Sequence, residues 1–338
     1  MRPKLKDIAD RVGVTPQLVS FYLNHPRTTR VRKETRAKID AAVKALDYRV
    51  NAVGRALSIG KTNTIGLIMG GFSARIRGCY VHSLMNEAKR CGYNLLIAIT
   101  NYDHREELNA LEMMLDRQVD GIIYTLDLED GCKIAQRIQK LQFPLLLHAQ
   151  TTHKAFDTID HDYRGSVVEL AQFLRTRGRK TLYFQENPQS EVCGWLSEAA
   201  SQCGLQLRIF PLPEDPFVNG DFLHAVLRDR PDAILEFNEK WLRELLEMIS
   251  AEKPEYRPDC IGCYELPFQY VDSPLVAGYV RTFHHERAVA EVERMIELIN
   301  APHSAFRNLR LPTCFLSAEE ARKLRLEQLE SPLYRQFR

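Results

Sequence analysis

Apolar residues recur at two different spacings along this chain. Near the N-terminus the period is helical. Leu5, Ile8, Ala9 and Val12 fall on one face of a first helix. Gly13 should end it, since glycine accepts the left-handed backbone of a helix terminus. Thr15 can cap the next helix through its hydroxyl, and Pro16 suits a first helical position, where no N–H is needed. Leu18, Val19, Tyr22 and Leu23 then form an inward stripe, with Gln17, Ser20 and Phe21 outward. Ile39, Ala42, Val43 and Leu46 mark the inner face of a third helix, from Arg36 to Leu46. Two amphipathic helices joined by a short glycine-containing turn are a helix-turn-helix pattern.

From about Thr64 the pattern changes to short apolar runs separated by helical stretches. Strands are expected at Ile65–Met69, Tyr93–Ile99, Val119–Thr125, Pro144–His148, Thr181–Phe184, Leu205–Phe210, Ala233–Phe237 and Cys260–Tyr264. Helices are expected near 80–90, 104–116, 135–140, 165–176, 195–203, 220–229, 240–251 and 286–299. Such alternation implies parallel sheets covered on both faces. The stretch is long for one domain, so two lobes are expected. A last helix, Ala318 to Leu329, does not sustain a heptad, which argues against a coiled-coil tail.

Charge sharpens this division. Residues 1–62 hold fourteen Lys and Arg against five Asp and Glu, a net +9; the whole chain is +2, leaving −7 for the rest. A basic head on an acidic body fits a head that binds phosphate. No eighteen-residue apolar run and no signal-peptide core are apparent, so a cytoplasmic chain without membrane contact is expected. Disulfides among the eight cysteines are then not expected. Cys260-Ile-Gly-Cys263 has redox or metal spacing, but it lacks a second pair and a thioredoxin-like context, so buried thiols are the better reading. Catalytic motifs are missing too: no Gly-rich phosphate loop, nucleophile elbow or metal-spaced His/Glu helix. His153, His161, His284 and His285 look scattered. The expectation is a non-enzyme with no cofactor and no metal.

Asp7, Ala9, Gly13, Val14, Val19, Ser20, Asn24, Val31, Thr35, Arg36, Ala42, Leu46, Tyr48, Asn51, Arg55 and Leu57 together resemble the head of the lac repressor family of bacterial transcription regulators. The resemblance implies that Pro16, Gln17 and Phe21 read bases in the major groove. Gln17 has an amide suited to adenine, and Phe21, where the family commonly has arginine, suits a thymine methyl. It implies phosphate contacts from Thr15, Asn24, Arg30, Arg32, Thr35 and Arg36. Residues 49–59 resemble the family's hinge helix, where Asn51 and Arg55 count among the DNA-contacting positions and Leu57 is the minor-groove wedge. Val50 and Gly54 replace the usual proline and alanine there. Gly54 costs about 1 kcal/mol of helix stability.

The body resembles the same family more loosely. The fold implied is a helix-turn-helix head on a two-lobed, doubly wound, periplasmic-binding-protein-like α/β core. The expected segments are a head at 1–48, a hinge at 49–61, a first lobe at 62–158 and 282–310, a second at 159–281 and 311–317, and a tail at 318–338. By resemblance, the inter-lobe cleft takes a small effector, carbohydrate-derived by family habit, and two copies form a homodimer on a palindromic operator. The effector positions implied are Phe72, His161, Glu191, Trp195, Phe217, Asn238, Tyr264 and Phe283. Several depart from the family. Glu191 stands where an arginine commonly grips the effector, three residues before Gly194-Trp195; His161-Asp162 replaces Asp-Asn; Tyr264-Glu265 replaces Asp-Asp. Three readings of Glu191 stay open: a cationic or donor-rich effector, a cleft that no longer takes sugar and answers to another ligand or a protein, or a glutamate on the surface.

Overall fold

A computed structural model describes residues 3–24, 30–48, 60–71, 75–126, 128, 132–148, 155–213, 220–264, 272–302 and 305–330. The chain divides into a head, residues 1–63, and a body, residues 64–338. In the head, α1 (Leu5–Val12), α2 (Pro16–Asn24) and α3 (Lys33–Ala45) enclose a small core of Ile8, Ala9, Val19, Tyr22, Val31, Ile39, Ala42 and Tyr48. Gly13 closes α1 at φ +76°, a conformation that other residues rarely adopt. The Thr15 hydroxyl accepts the Leu18 N–H at 3.3 Å, so the expected cap is in place. Tyr22 donates to Asp40 at 2.9 Å and ties α2 to α3.

The body holds two six-stranded sheets. The first has the order β11-β5-β4-β3-β1-β2, from β1 (Thr64–Met69), β2 (Asn94–Ile99), β3 (Gly121–Tyr124), β4 (Leu145–Leu147), β5 (Asp157–Asp162) and β11 (Asn308–Pro312), all parallel. The second has the order β12-β10-β9-β8-β6-β7, from β6 (Thr181–Gln185), β7 (Gln206–Phe210), β8 (Ala233–Glu236), β9 (Asp259–Tyr264), β10 (Val276–Arg281) and β12 (Cys314–Ser317). Of these only β12 runs antiparallel to its neighbour.

Helices cover the sheets: α4 (Arg75–Arg90), α5 (His104–Asp116), α6 (Lys133–Leu141) and α11 (His284–Asn300) on the first; α7 (Arg164–Thr176), α8 (Glu191–Cys203), α9 (Gly220–Asp229), α10 (Glu239–Glu252) and α12 (Ala318–Glu330) on the second. Each sheet thus has an apolar cluster on either face, which is why its inner strands read as continuous apolar runs. At Gly121 a side chain would collide with Met295 of α11, so glycine lets that helix lie close on β3.

β5, β10, β11 and β12 were not expected from the apolar pattern. β5 reads Asp-Thr-Ile-Asp-His-Asp, and Asp157, Thr158 and His161 meet Arg294, Asn308 and Arg287, tertiary partners that local spacing cannot reveal. β11 and β12 are edge strands with largely half-exposed side chains. The expected lobe limits at 158/159 and 310/311 fall inside β5 and β11, which stay paired in register through Asp162 and Pro312. The chain therefore passes between sheets after Asp162, after Arg281 and after Pro312.

Candidate functional sites: the head and the junction of the two sheets

In the head, Thr15, Pro16 and Gln17 are exposed at the start of α2. Phe21 is half-buried and packs against the head core, so it is less outward than the helical pattern implied. Arg30 and Arg32 are exposed, while Thr35, Arg36 and Asn24 are half-buried. Asn24 Oδ1 and Arg36 Nε are buried without a hydrogen-bond partner. Asn51, Arg55 and Leu57, with the rest of the expected hinge helix, lie outside the described residues.

In the body, the C-terminal ends of the two sheets meet at Tyr163, which directly follows β5. Its ring stacks on Phe237 just beyond β8 at 5.2 Å, while His161 of β5 meets it edge-on at 6.0 Å. On the other side His161 stands perpendicular to His284, the first residue of α11, at 5.4 Å. A line of rings thus runs from one sheet to the other.

A charged network supports the first-sheet end. Arg287, 2 % exposed, bonds Glu291 at 3.0 Å, His161 Nδ1 at 2.9 Å and the Ile159 carbonyl. Glu291 also accepts from Tyr80 at 2.6 Å and meets His148 Nδ1 at 3.0 Å. Burial alone would raise the Glu291 carboxyl, but His148, Arg287 and the Tyr80 hydroxyl hold it below its usual range. Burial, aided by Arg287 and the other histidines, depresses His161 far below an ordinary imidazole, and burial takes His284 down to about 3. Both rings are therefore neutral. A guanidinium can only donate, so Arg287 makes Nδ1 of His161 the acceptor and leaves the hydrogen on Nε2.

The second-sheet end is acidic. Glu236, at the end of β8, is buried and accepts the Asn238 N–H at 2.7 Å. Burial pushes its carboxyl up to about 8, and the nearby Glu186 adds to the rise. On the first-sheet side, Asp160 of β5 is raised to about 6 by burial, against the pull of Arg287 and Arg310.

Six buried polar atoms toward these strand ends lack a partner among the described residues: His161 Nε2, His284 Nδ1, Arg281 Nε, Gln185 Oε1, Ser190 Oγ and Glu236 Oε2. Buried polar groups are normally paired, so such a concentration marks a place where a ligand or water completes the bonding.

The expected effector residues divide. His161 lies at the junction, deeply buried. Glu191 opens α8 and pairs with Arg310 of β11 at 2.5 Å, so the two sheets are bridged there. The guanidiniums of Arg310 and Arg164 lie 5.3 and 5.7 Å from the Trp195 ring. Asn238 caps α10, its side-chain oxygen accepting from Lys240 at 3.0 Å and Trp241 at 3.4 Å. Phe283 precedes α11 under Arg281, 4.5 Å from its guanidinium. Phe72 and Phe217 lie outside the described residues, as does the side chain of Tyr264.

Sequence reading missed Arg310, Arg287 and Tyr163, and it took His161 and His284 as unrelated. One signal was present: Arg287 and Glu291 stand four apart, among the apolar residues of a buried helical face. Cys260 and Cys263 are both buried and belong to clusters on opposite faces of the second sheet. Burial raises both thiols, and all eight cysteines are free. Among the described residues no group of His, Cys, Asp and Glu could hold a metal, and no helix is long and apolar enough to cross a membrane.

Residues 4–51 match the profile of "Bacterial regulatory proteins, lacI family". The chain is 26% identical over 252 residues to catabolite control protein A of Priestia megaterium, covering 71% of this chain and 72% of that one. It is 34% identical over 204 residues to the HTH-type transcriptional repressor PurR of Haemophilus influenzae, covering 59% and 56%. The lac repressor dimer bound to operator and the anti-inducer ONPF superposes with a TM-score of 0.77 at 18% identity, over 94% of this chain and 98% of that one. The transcriptional regulator CelR–cellobiose complex gives 0.65 at 17% identity, over 95% and 100%. Residues 4–51 are thus a helix-turn-helix head of the lacI kind, and the two-sheet body shares the fold of the lac repressor.

Proposed function

We propose that this protein is a repressor whose hold on DNA is set by a small metabolite bound between the two lobes. Two copies place their heads on the half-sites of a palindromic operator in the cytoplasm, with Gln17 reading a base edge and the exposed arginines of the head holding phosphate. The observation that carries the ligand gating is the set of unpartnered buried polar atoms where the C-terminal ends of both sheets meet. Ligands of open α/β sheets sit at such strand ends. A carbohydrate-derived effector is consistent with the cellobiose bound to CelR. The pairing of Glu191 with Arg310 removes the main reason to expect a cationic effector, since that carboxylate already has its counter-charge. Coupling requires that the ligand bind the DNA-competent and DNA-incompetent arrangements with different affinity. Selection of bound fragments from the genome tests the DNA half: recovery of one palindromic motif is the expected result. Metabolites of the neighbouring genes, titrated against that operator complex, test the gating. If none changes operator affinity or raises thermal stability, the gating is lost.

A further inference from the structure

At the N-terminus of α11 several donors have no acceptor among the described residues. Phe283 stands at the N-cap position and offers no side-chain cap, so the N–H groups of the first turn have no such acceptor. His161 stands edge-on to His284 in that turn, at 5.4 Å. It is 2 % exposed, and its Nε2 has no partner. Because Arg287 occupies Nδ1 as a donor, the unpartnered Nε2 carries a hydrogen and is itself a donor. At His284 the Thr282 hydroxyl meets Nε2 at 3.0 Å and can donate to it, which puts the hydrogen on Nδ1; that atom has no partner among the described residues. Arg281 Nε, just before the turn, is a further buried donor without an acceptor.

The described carboxylates near this place are engaged or exposed. Glu291 is taken up by Tyr80, His148 and Arg287, and Asp160 accepts the His161 N–H at 2.6 Å. Glu286 of the first turn is exposed. The unpartnered His161 donor thus lies beside a helix N-terminus, where the dipole favours an acceptor carrying negative charge.

We infer that the first turn of α11, with His161 Nε2 and His284 Nδ1, is an oxyanion subsite that takes the phosphate or carboxylate group of the effector. This rests on the junction being the effector site, and it narrows the effector to an acidic metabolite such as a sugar phosphate or a sugar acid. His161 acts as a neutral donor whose tautomer Arg287 fixes, and His284 donates from Nδ1 in the tautomer that accepts from Thr282.

The test uses the full-length chain and fragment-sized probes. Inorganic phosphate and acetate are titrated, with chloride at matched ionic strength as reference, and the thermal midpoint is followed. A saturable rise with phosphate, acetate or both is expected, and which of them acts tells phosphate from carboxylate. His161→Phe should weaken that binding at least tenfold. His161→Gln, which keeps a donor, should retain most of it and guards against a folding defect in the first variant. His224→Ala, at an exposed histidine of α9, should bind as the parent does. No saturable effect of either ion, or equal binding by the parent and His161→Phe, overturns the subsite. Neutral sugars are assayed in parallel. If one of them stabilises the parent and His161→Phe alike while both ions are inert, the effector site stands and the oxyanion subsite falls.

Discussion

Arg310 of β11 in the first sheet reaches Glu191 at the start of α8 in the second, with 2.5 Å between guanidinium and carboxylate. The carboxylate of one lobe thus takes its counter-charge from the other, and Trp195 lies beneath the same guanidinium.

Glu191→Gln should cost about 0.5–1 kcal/mol in urea unfolding, because the pair is partly exposed and screened. Glu191→Arg should cost more, by setting two guanidiniums together, and the reversed pair Glu191→Arg with Arg310→Glu should recover much of the loss. Equal stability of all three variants would show that the contact does not hold the lobes.

The Arg287–Glu291 pair belongs to a different regime. Both side chains are almost wholly buried. Removing one partner by Arg287→Met should cost about 3–5 kcal/mol, since the remaining carboxylate loses its neighbour away from water. Adding Glu291→Leu should return a large part of that. Urea midpoints of the two variants decide it.

Glu236 makes stability depend on pH in a defined sense. Its folded value, about 8, lies above the ordinary carboxylate value it has when unfolded. Its contribution is complete below about pH 4.3, declines as pH rises and is gone once pH passes the folded value. The parent should therefore lose stability relative to Glu236→Gln between pH 5 and 8, by at most about 1.4 kcal/mol per pH unit. Denaturant titrations at successive pH values give the slope, and parallel curves would rule out the raised carboxyl.

Gln17 is exposed at the second position of α2. Gln17→Ala should relax sequence preference at one operator base by about 1–3 kcal/mol while leaving nonspecific binding nearly unchanged. Competition between operator and random DNA separates the two effects. A uniform loss would make Gln17 a positioning residue only.

The amino-acid sequence by itself determined the head. The Gly13 turn, the Thr15 cap and the apolar stripes of α1 to α3 are local signals, each carried by residues within a turn or two of one another. It also determined the alternating α/β plan, since strands covered on both faces announce themselves as apolar runs. The tertiary structure alone decided β5 and the junction. Three aspartates and a histidine in six residues do not read as a strand until Arg294 meets Asp157 and Arg287 meets His161, each more than a hundred positions away. Likewise Glu191 by itself looks like a lost clamp, because nothing local connects it to Arg310 across 119 positions. Periodicity reports which face of an element is dry; which charges meet depends on crossings between sheets, and those are long-range.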